Sequence, residues 1–200
     1  MKQRNILLLL LGIFLLAGAY KSNAQQMPPD LCEITGTSVE RWGTLRINGV
    51  VVQENTTGGN TDCVTYLDKR NDFTFEVEAG QQMEVHTSGP YWYSTDCQIS
   101  WTAHNLGVFI DLNKDGDIQI TDPNTTGARE ERFYFEGLDV ASETITFNLP
   151  EDIDGGLYVM RVVTSDGVGD VVRQGCGTQS FFQVVDILIN VKPQEPAIVD

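Results

Sequence analysis

The strongest constraint on the fold is an alternation of apolar and polar residues with a period of two. In residues 72–78 this alternation would place apolar side chains on one face of an extended chain and polar side chains on the other. The apolar members are Phe73, Phe75 and Val77. Similar runs recur between residues 45 and 191, separated by turn clusters, and no window shows a sustained period of 3.6 residues.

These runs predict an all-β fold: a single β-sandwich of jelly-roll or immunoglobulin-like type with about nine strands. Only Ala79-Gly80 separates the second predicted strand from the third, so we expect these two to form a hairpin. The predicted strands are Leu45–Gln53, Asp72–Glu78, Gln81–Thr87, Gln98–Thr102, Val108–Leu112, Arg132–Phe135, Thr144–Leu149, Leu157–Thr164 and Phe181–Val191.

The N-terminus has the pattern of an export signal. Two basic residues precede the apolar stretch Ile6–Ala19, which is short for a membrane span, and Ser22-Asn23-Ala24 puts small residues at the −3 and −1 positions. We predict that residues 1–24 are a signal peptide cleaved before Gln25; an uncleaved anchor is the alternative. The predicted mature protein is one domain, 25–191, with a flexible tail, 192–200, and is secreted or at the cell surface, in the periplasm or outside the cell.

The charge of the chain excludes several kinds of partner. The 200 residues include 13 Lys and Arg against 28 Asp and Glu, a net charge of −15, which becomes −18 once three basic residues leave with the signal peptide. A strongly acidic protein suits neither nucleic acid nor an anionic membrane surface. We therefore expect no nucleic-acid partner and no membrane insertion of the mature chain. The oligomeric state stays open.

The four cysteines are widely spaced and form no Cys-x-x-Cys motif, which disfavours zinc. In an exported protein two disulfides are the usual arrangement. Four cysteines allow three pairings. We favour Cys63–Cys97 together with Cys32–Cys176, since the second pair would tie the mature N-terminus to the region before the last strand.

The sharpest motif is an acidic loop over residues 111–122. Side-chain oxygens recur at every second residue, Gly follows at position 6 and a carboxylate at position 12, as in calcium-binding loops. Calcium (Ca2+) takes six to eight oxygen ligands, and a cation would offset the repulsion among the carboxylates. The predicted ligands are Asp111, Asn113, Asp115, Asp117 and Asp122, with Glu130 or Glu131 as a further oxygen. Since a strand precedes the loop, the site would be structural; an acidic turn without metal is the alternative.

The segment Val108-Phe109-Ile110-Asp111-Leu112-Asn113-Lys114-Asp115-Gly116-Asp117 resembles the core motif of the GEVED domain, a β-sandwich module of secreted and surface proteins, chiefly of Bacteroidetes. Other parts agree in order, and the resemblance extends over about Leu31 to Val191. These parts are Leu31-Cys32, Leu149-Pro150, Gly156-Leu157-Tyr158-Val159-Met160-Arg161-Val162 and Cys176.

The chain departs from the family where the family takes its name. At Phe182-Gln183-Val184-Val185-Asp186 only Val184 and Asp186 agree, both glutamates are replaced, and Leu112 stands where an aromatic residue is usual. The resemblance implies the fold and a non-catalytic module, since such domains usually accompany proteases, adhesins or carbohydrate-active enzymes as appendages.

A second candidate site is the aromatic loop Tyr91, Trp92 and Tyr93. Three consecutive rings cannot all face one core from an extended chain, so at least one should be exposed to stack on a sugar or contact a protein. The alternative is that the rings close one end of the sandwich. Trp42 is expected in the core, and His86 and His104 are expected to be structural.

Three functions compete on this evidence. A secreted, calcium-stabilised, non-catalytic binding or adhesion module comes first, with a carbohydrate or an extracellular protein, such as matrix, as partner. A structural or assembly protein of the bacterial cell surface is the alternative. A hydrolase comes last, because no nucleophile, zinc or phosphate-loop motif is present, and two carboxyls of raised pKa outside the acidic loop would be needed to favour it.

Overall fold

The computed structural model describes residues 28–35, 44–54, 66–88, 104–124, 128, 130–138, 142–165, 173–178 and 182–193. Several predictions lie outside them. These are the signal peptide 1–24, Trp42, the pair Cys63–Cys97, the loop Tyr91–Tyr93, the strand Gln98–Thr102, and the tail beyond residue 193. Among the described residues, no helix has the length and apolar character needed to cross a membrane.

The described residues form twelve strands, so the all-β prediction is confirmed. The strands are β1 (Ile34–Thr35), β2 (Thr44–Ile47), β3 (Val50–Glu54), β4 (Tyr66–Asp68), β5 (Thr74–Val77), β6 (Gln82–Ser88), β7 (His104–Ile110), β8 (Arg132–Leu138), β9 (Ser142–Asn148), β10 (Gly156–Ser165), β11 (Gly177–Thr178) and β12 (Phe182–Val191).

Two sheets make up the sandwich. The large sheet has the order β4-β12-β10-β7-β8, and β5 also pairs with β12, parallel to it and following β4 along the same edge. The small sheet has the order β3-β2-β6-β9. A separate parallel pair joins β1 to β11, with Ile34 opposite Gly177. This pair holds the N-terminal segment beside the residues that precede β12.

The main core lies between the two sheets and follows the period-two pattern of the sequence. Leu45 and Val85 of the small sheet and Val108, Val162 and Ile187 of the large sheet are all fully buried in one cluster. Burying a side chain of this size stabilises the fold by about 1.5–3 kcal/mol before entropy is counted. The face of the large sheet that borders this core is called the inner face below.

The opposite face of the large sheet, the outer face, is also covered. Phe109, Val159 and Leu188 are buried there in a second cluster, against Leu31 of the N-terminal segment and Ile118 of the acidic loop. Because both faces are buried, the burial of β10 does not alternate: its last eight residues are all buried.

Two strand predictions are wrong in detail. The run Leu45–Gln53 is two strands joined at Asn48-Gly49, whose φ values of 48° and 77° are those of a tight hairpin turn. The expected hairpin of β5 with β6 does not form, because β5 pairs with β12 whereas β6 pairs with β2 and β9. The chain changes sheets between β5 and β6, so both strands still direct apolar side chains into the shared core.

Candidate functional site: the acidic loop and the cavity beside it

The acidic loop begins where β7 ends, and Asp111 organises it. Asp111 is fully buried, and its carboxylate accepts hydrogen bonds from the backbone N–H groups of Lys114 at 2.7 Å, Asp115 at 3.3 Å and Gly116 at 3.0 Å. These bonds turn the chain around the carboxylate. Gly116 has a φ of 85°, a left-handed conformation that glycine adopts without strain.

Glu131 closes the loop from the other side. It is 4% exposed, and its Oε1 accepts from the N–H of Leu112 at 2.8 Å and of Asn113 at 3.2 Å, while Oε2 accepts from the N–H of Gln119 at 2.6 Å. Burial raises the pKa of both Asp111 and Glu131, against the lowering effect of these N–H donors. The Asp111 charge raises the pKa of Glu131 further. The loop thus holds two buried carboxyls at close quarters.

The other predicted ligands lie at the surface. Asn113, Asp115 and Asp117 are exposed on the turn, and Asp115 Oδ2 accepts hydrogen bonds from the side-chain amides of Asn113 at 2.9 Å and Gln119 at 3.0 Å. The N–H of Asp117 donates to Asp115 and lowers the pKa of that carboxyl.

Asp122, the predicted residue at loop position 12, lies in the following turn. Its Oδ1 accepts from the N–H of Asn124 at 3.0 Å, whereas Glu130 accepts from the hydroxyl of Thr121 at 2.6 Å. Both glutamates that the sequence left open bond to the backbone of the loop: Glu131 to three N–H groups, and Glu130 to that of Thr121 at 3.1 Å.

The donor set of the loop consists of oxygens, the chemistry that a hard divalent cation requires. The carboxylates of the loop nevertheless do not converge on one position that an ion could occupy. In the described part of the chain, the one set of three His, Cys, Asp or Glu side chains with ligand atoms within 4.8 Å of one another is Cys32, Asp117 and Cys176. Both sulfurs of that set belong to a disulfide. Binding an ion would therefore require the exposed Asp115 and Asp117 side chains to rotate inward.

The disulfide joins Cys32 to Cys176 with a Cα–Cα distance of 5.7 Å, the pairing that we favoured. It lies against the acidic loop, since Asp117 Oδ1 is 4.0 Å from Cys176 Sγ. The loop also touches the N-terminal segment directly: a Cβ at Gly116 would lie 2.7 Å from the carbonyl oxygen of Asp30. Loop, disulfide and N-terminal segment therefore cover the outer face together.

Beneath this cover lies a buried ion pair. Arg161 of β10 and Asp186 of β12, 1% and 0% exposed, face each other in register and form a bidentate pair at 2.8 and 2.7 Å. A third nitrogen of Arg161 donates to the carbonyl oxygens of Cys32 at 3.1 Å and Gly175 at 2.8 Å. The guanidinium thus binds the backbone on both sides of the disulfide, so the pair and the cover depend on each other.

A cavity of about 370 Å³ opens beside this ion pair. It is lined by residues 30–34 of the N-terminal segment together with Tyr66, Asp68, Arg70 and Arg161. The Tyr66 hydroxyl donates to Asp186 at 2.9 Å, and burial, followed by the Asp186 charge, raises the pKa of Tyr66 above its usual range.

Arg70 also lines the cavity and pairs with two carboxylates. Its guanidinium donates to Asp68 at 2.9 and 2.6 Å and to Asp30 at 2.6 Å. The side chain of Arg70 is only 10% exposed, whereas that of Asp30 is 85% exposed. Arg70 therefore joins Asp68 and Asp30 into one group of charged side chains that lines the cavity.

Sequence reasoning missed this cavity. A signal was present, because Arg161 and Asp186 each interrupt a strongly apolar strand, and charged residues in such strands are almost never buried unless they are paired. Nothing in the sequence indicated that Tyr66 and Arg70, which precede them by about a hundred residues, would lie beside them. His86, which was expected to be structural, hydrogen-bonds Thr144 across strands of the small sheet at 2.9 Å.

Comparison with known proteins identifies the segment that carries these features. No curated protein matches the chain. The family model of the GEVED domain matches residues 105–190, which include the acidic loop, Glu131, Arg161 and Asp186. Two of the residues on which the resemblance rests, Arg161 and Asp186, are thus the two members of the buried ion pair. GEVED is an extracellular type of domain. The family that the model matches over residues 105–190 is the one that the sequence motifs resemble.

Proposed function

We propose that this protein is a secreted, calcium-stabilised binding module without catalytic activity, and that its ligand is a carbohydrate or an extracellular matrix protein. The observation that carries the calcium part is the geometry of Asp111. A buried carboxylate that accepts three backbone N–H groups is held in one orientation at the centre of a turn. The next three predicted ligands stand on the same turn.

Calcium would supply charge that the loop itself lacks. Asp111 and Glu131 are both buried acids, and Asp115 and Asp117 add two further carboxylates at the surface. The one lysine of the turn, Lys114, lies over the Tyr158 ring with its Nζ 4.0 Å from the ring centroid. A bound divalent cation would reduce the repulsion among these acids and tighten the loop against the N-terminal segment.

Two observations favour binding over catalysis. The carboxyls of raised pKa within the described residues, Asp111 and Glu131, both belong to the acidic loop, whereas a hydrolase would need such a pair elsewhere. In the cavity, Arg70 and Arg161 are each paired with carboxylates, and Arg70 lowers the pKa of Asp68. A carboxyl of lowered pKa is a poor proton donor at neutral pH.

The alternative is a structural or assembly protein of the bacterial cell surface. One observation favours it: β3 ends the small sheet among the described strands, and its first residue, Val50, is 47% exposed. An edge strand of this kind can pair with another chain. Sedimentation velocity of the mature protein over a hundredfold concentration range would detect such assembly.

Thermal unfolding of the oxidised mature protein, in millimolar calcium and in EDTA, tests the calcium part. Linkage predicts about 2.7 kcal/mol of added stability when calcium is 100-fold above its dissociation constant. Asp115→Ala should abolish the calcium-dependent rise in melting temperature and change the EDTA curve little, because Asp115 is exposed. Asp152→Ala, an exposed aspartate in another acidic turn, is the matched control and should keep the rise.

Identical wild-type curves in calcium and EDTA would contradict calcium stabilisation. An equal loss of stability by Asp115→Ala in both conditions would instead assign the loop to packing. The ligand part is tested separately by screening the protein on immobilised glycans and matrix proteins. Trp92→Ala, in the aromatic loop that the sequence singled out, would show whether that loop contributes.

A further inference from the structure

We propose that the cavity between Tyr66, Arg70 and the N-terminal segment 30–34 is a saccharide-binding site. This inference deepens the proposed binding function by giving it a place and a ligand class. The cavity volume of about 370 Å³ lies within the range of roughly 300–1,000 Å³ that is typical of small-molecule sites. Its walls come from three parts of the chain that meet only in the folded protein, namely the N-terminal segment, β4 with the turn after it, and β10.

The polar wall suits hydroxyl groups. Asp68 and Asp30 are bound to the same guanidinium, so their oxygens are held at fixed positions along the cavity. A carboxylate oxygen has two lone pairs, and Asp68 Oδ2 and Asp30 Oδ1 each accept one bond from Arg70, so each can accept another. A sugar hydroxyl both donates and accepts, so it can bond to the carboxylates and to the guanidinium fork in turn. Because these side chains are already ordered, a ligand loses little free energy in fixing them.

The Tyr66 ring provides an apolar surface next to the polar wall. Tyr66 is 37% exposed, and its hydroxyl donates a hydrogen bond to the buried Asp186. This bond holds the ring in position. Ile34 and Leu31 add apolar surface on the side of the N-terminal segment. A pyranose has the matching character, with C–H groups on one face and hydroxyls around the edge. An aromatic ring beside convergent polar groups therefore fits a saccharide better than a wholly apolar ligand.

The charges argue against a phosphate or another anion. Three acids, Asp30, Glu33 and Asp68, line the cavity with two arginines, and both guanidiniums are engaged by carboxylates. An anionic ligand would have to displace the bidentate carboxylate of Asp68 from Arg70 or that of Asp186 from Arg161, and the second displacement would leave a buried charge without its partner. A neutral ligand can bind without disturbing either pair.

The test uses the mature, oxidised protein and a printed panel of defined mono- and oligosaccharides, followed by calorimetric titration of the strongest one, in calcium and in EDTA. Tyr66→Ala removes the ring and should weaken binding at least about tenfold. Tyr66→Phe keeps the ring and loses only the hydroxyl, so it should stay closer to wild type. Asp68→Asn keeps the shape of the wall and should also weaken binding. Val50→Ser, on the small sheet, is the control.

Melting curves of each variant show whether a loss of binding is a loss of folding, and Asp68→Asn serves if Tyr66→Ala does not fold. Saccharide binding that falls in both cavity variants and survives in the control establishes the site. Two results overturn it: no saccharide binding by the folded wild type, or binding that Tyr66→Ala and Asp68→Asn leave unchanged. In the latter case a loss with Trp92→Ala would keep the proposed binding function and move it to the aromatic loop. Binding that persists in EDTA would separate the cavity from the calcium proposal.

Discussion

The two faces of the large sheet differ in what they bury. On the inner face, residues such as Val162 and Ile187 pack against apolar side chains of the small sheet. On the outer face, the same two strands bury Arg161 against Asp186 under a cover of distant segments. The inner face is built by alternation within strands. The outer face needs a disulfide, an acidic loop and an N-terminal segment to exclude water, and the acidic loop and the cavity lie on this side.

The largest expected effect comes from breaking the ion pair. Arg161→Met and Asp186→Ala should each lower the free energy of unfolding by about 3–5 kcal/mol, because the remaining charge stays buried without its partner. The double variant Arg161→Met with Asp186→Leu should cost much less than the sum of the two single changes. Denaturant unfolding at neutral pH measures all three.

Ile187→Ala, the neighbour of Asp186 on the inner face, provides the comparison. It should cost about 2–5 kcal/mol through a cavity. Additive behaviour of the outer-face double variant would show that the pair is not the unit that stabilises this face.

The disulfide should have the next largest effect. Replacing both cysteines by Ala, in Cys32→Ala with Cys176→Ala, should lower the stability by about 2–5 kcal/mol. The loss should be local to the outer face: the amide of Gly177, which donates to Glu33, should exchange its hydrogen faster. Amides between β6 and β9 on the small sheet serve as the control. A uniform loss of protection would mean that the two faces unfold as one unit.

Two glycines separate backbone strain from packing on the outer face. Gly116 and Gly49 have φ values of 85° and 77°, so an alanine at either is strained by about 1–2 kcal/mol. A Cβ at Gly49 meets nothing within 4 Å, whereas one at Gly116 lies 2.7 Å from the Asp30 carbonyl oxygen. Gly116→Ala should therefore lower the melting temperature more than Gly49→Ala. Equal shifts would show that the loop does not press on the N-terminal segment.

The smallest effect concerns pH. The Arg70 guanidinium beside Asp68 holds the pKa of that carboxyl below its usual range. A lowered pKa in the folded state contributes stability that is present above the unfolded pKa of about 3.9 and is lost as pH falls through the folded pKa. Asp68→Asn should flatten the acid limb of stability against pH and leave its alkaline side unchanged. An unaltered acid limb would show that the cavity wall does not depend on this pair.

Much of the sandwich could be predicted because strand formation and the inner face follow from local alternation. Val77, Met83 and Val85 are buried as the pattern indicated. The partners of each strand were harder to predict. The apolar and polar residues of β5 alternate in the same way whether it pairs with β6 or with β12. Asn48-Gly49 is a residue pair typical of tight hairpin turns. We nevertheless predicted one strand there, because apolar residues continue on both sides of the pair.

The acidic loop and the cavity also differ in how far the sequence could predict them. The acidic loop is a contiguous segment whose oxygen spacing can be recognised in the sequence, so residues 111–117 could be named in advance, whereas the choice between Glu130 and Glu131 stayed open. The cavity is assembled from residues as far apart as Asp30 and Arg161. No spacing rule links such residues, because their proximity depends on how the strands are ordered in the sheet.

The sequence alone determined the fold class, the family motif and the acidic loop, because each depends on residues close together or on composition. The tertiary structure decided that β12 pairs with β10, β4 and β5, and therefore that Arg161, Asp186 and Tyr66 meet. It also decided which segments cover the outer face. The physical reason is that burying a charge demands a partner from another strand, and only the packed sheet brings that partner within hydrogen-bonding distance.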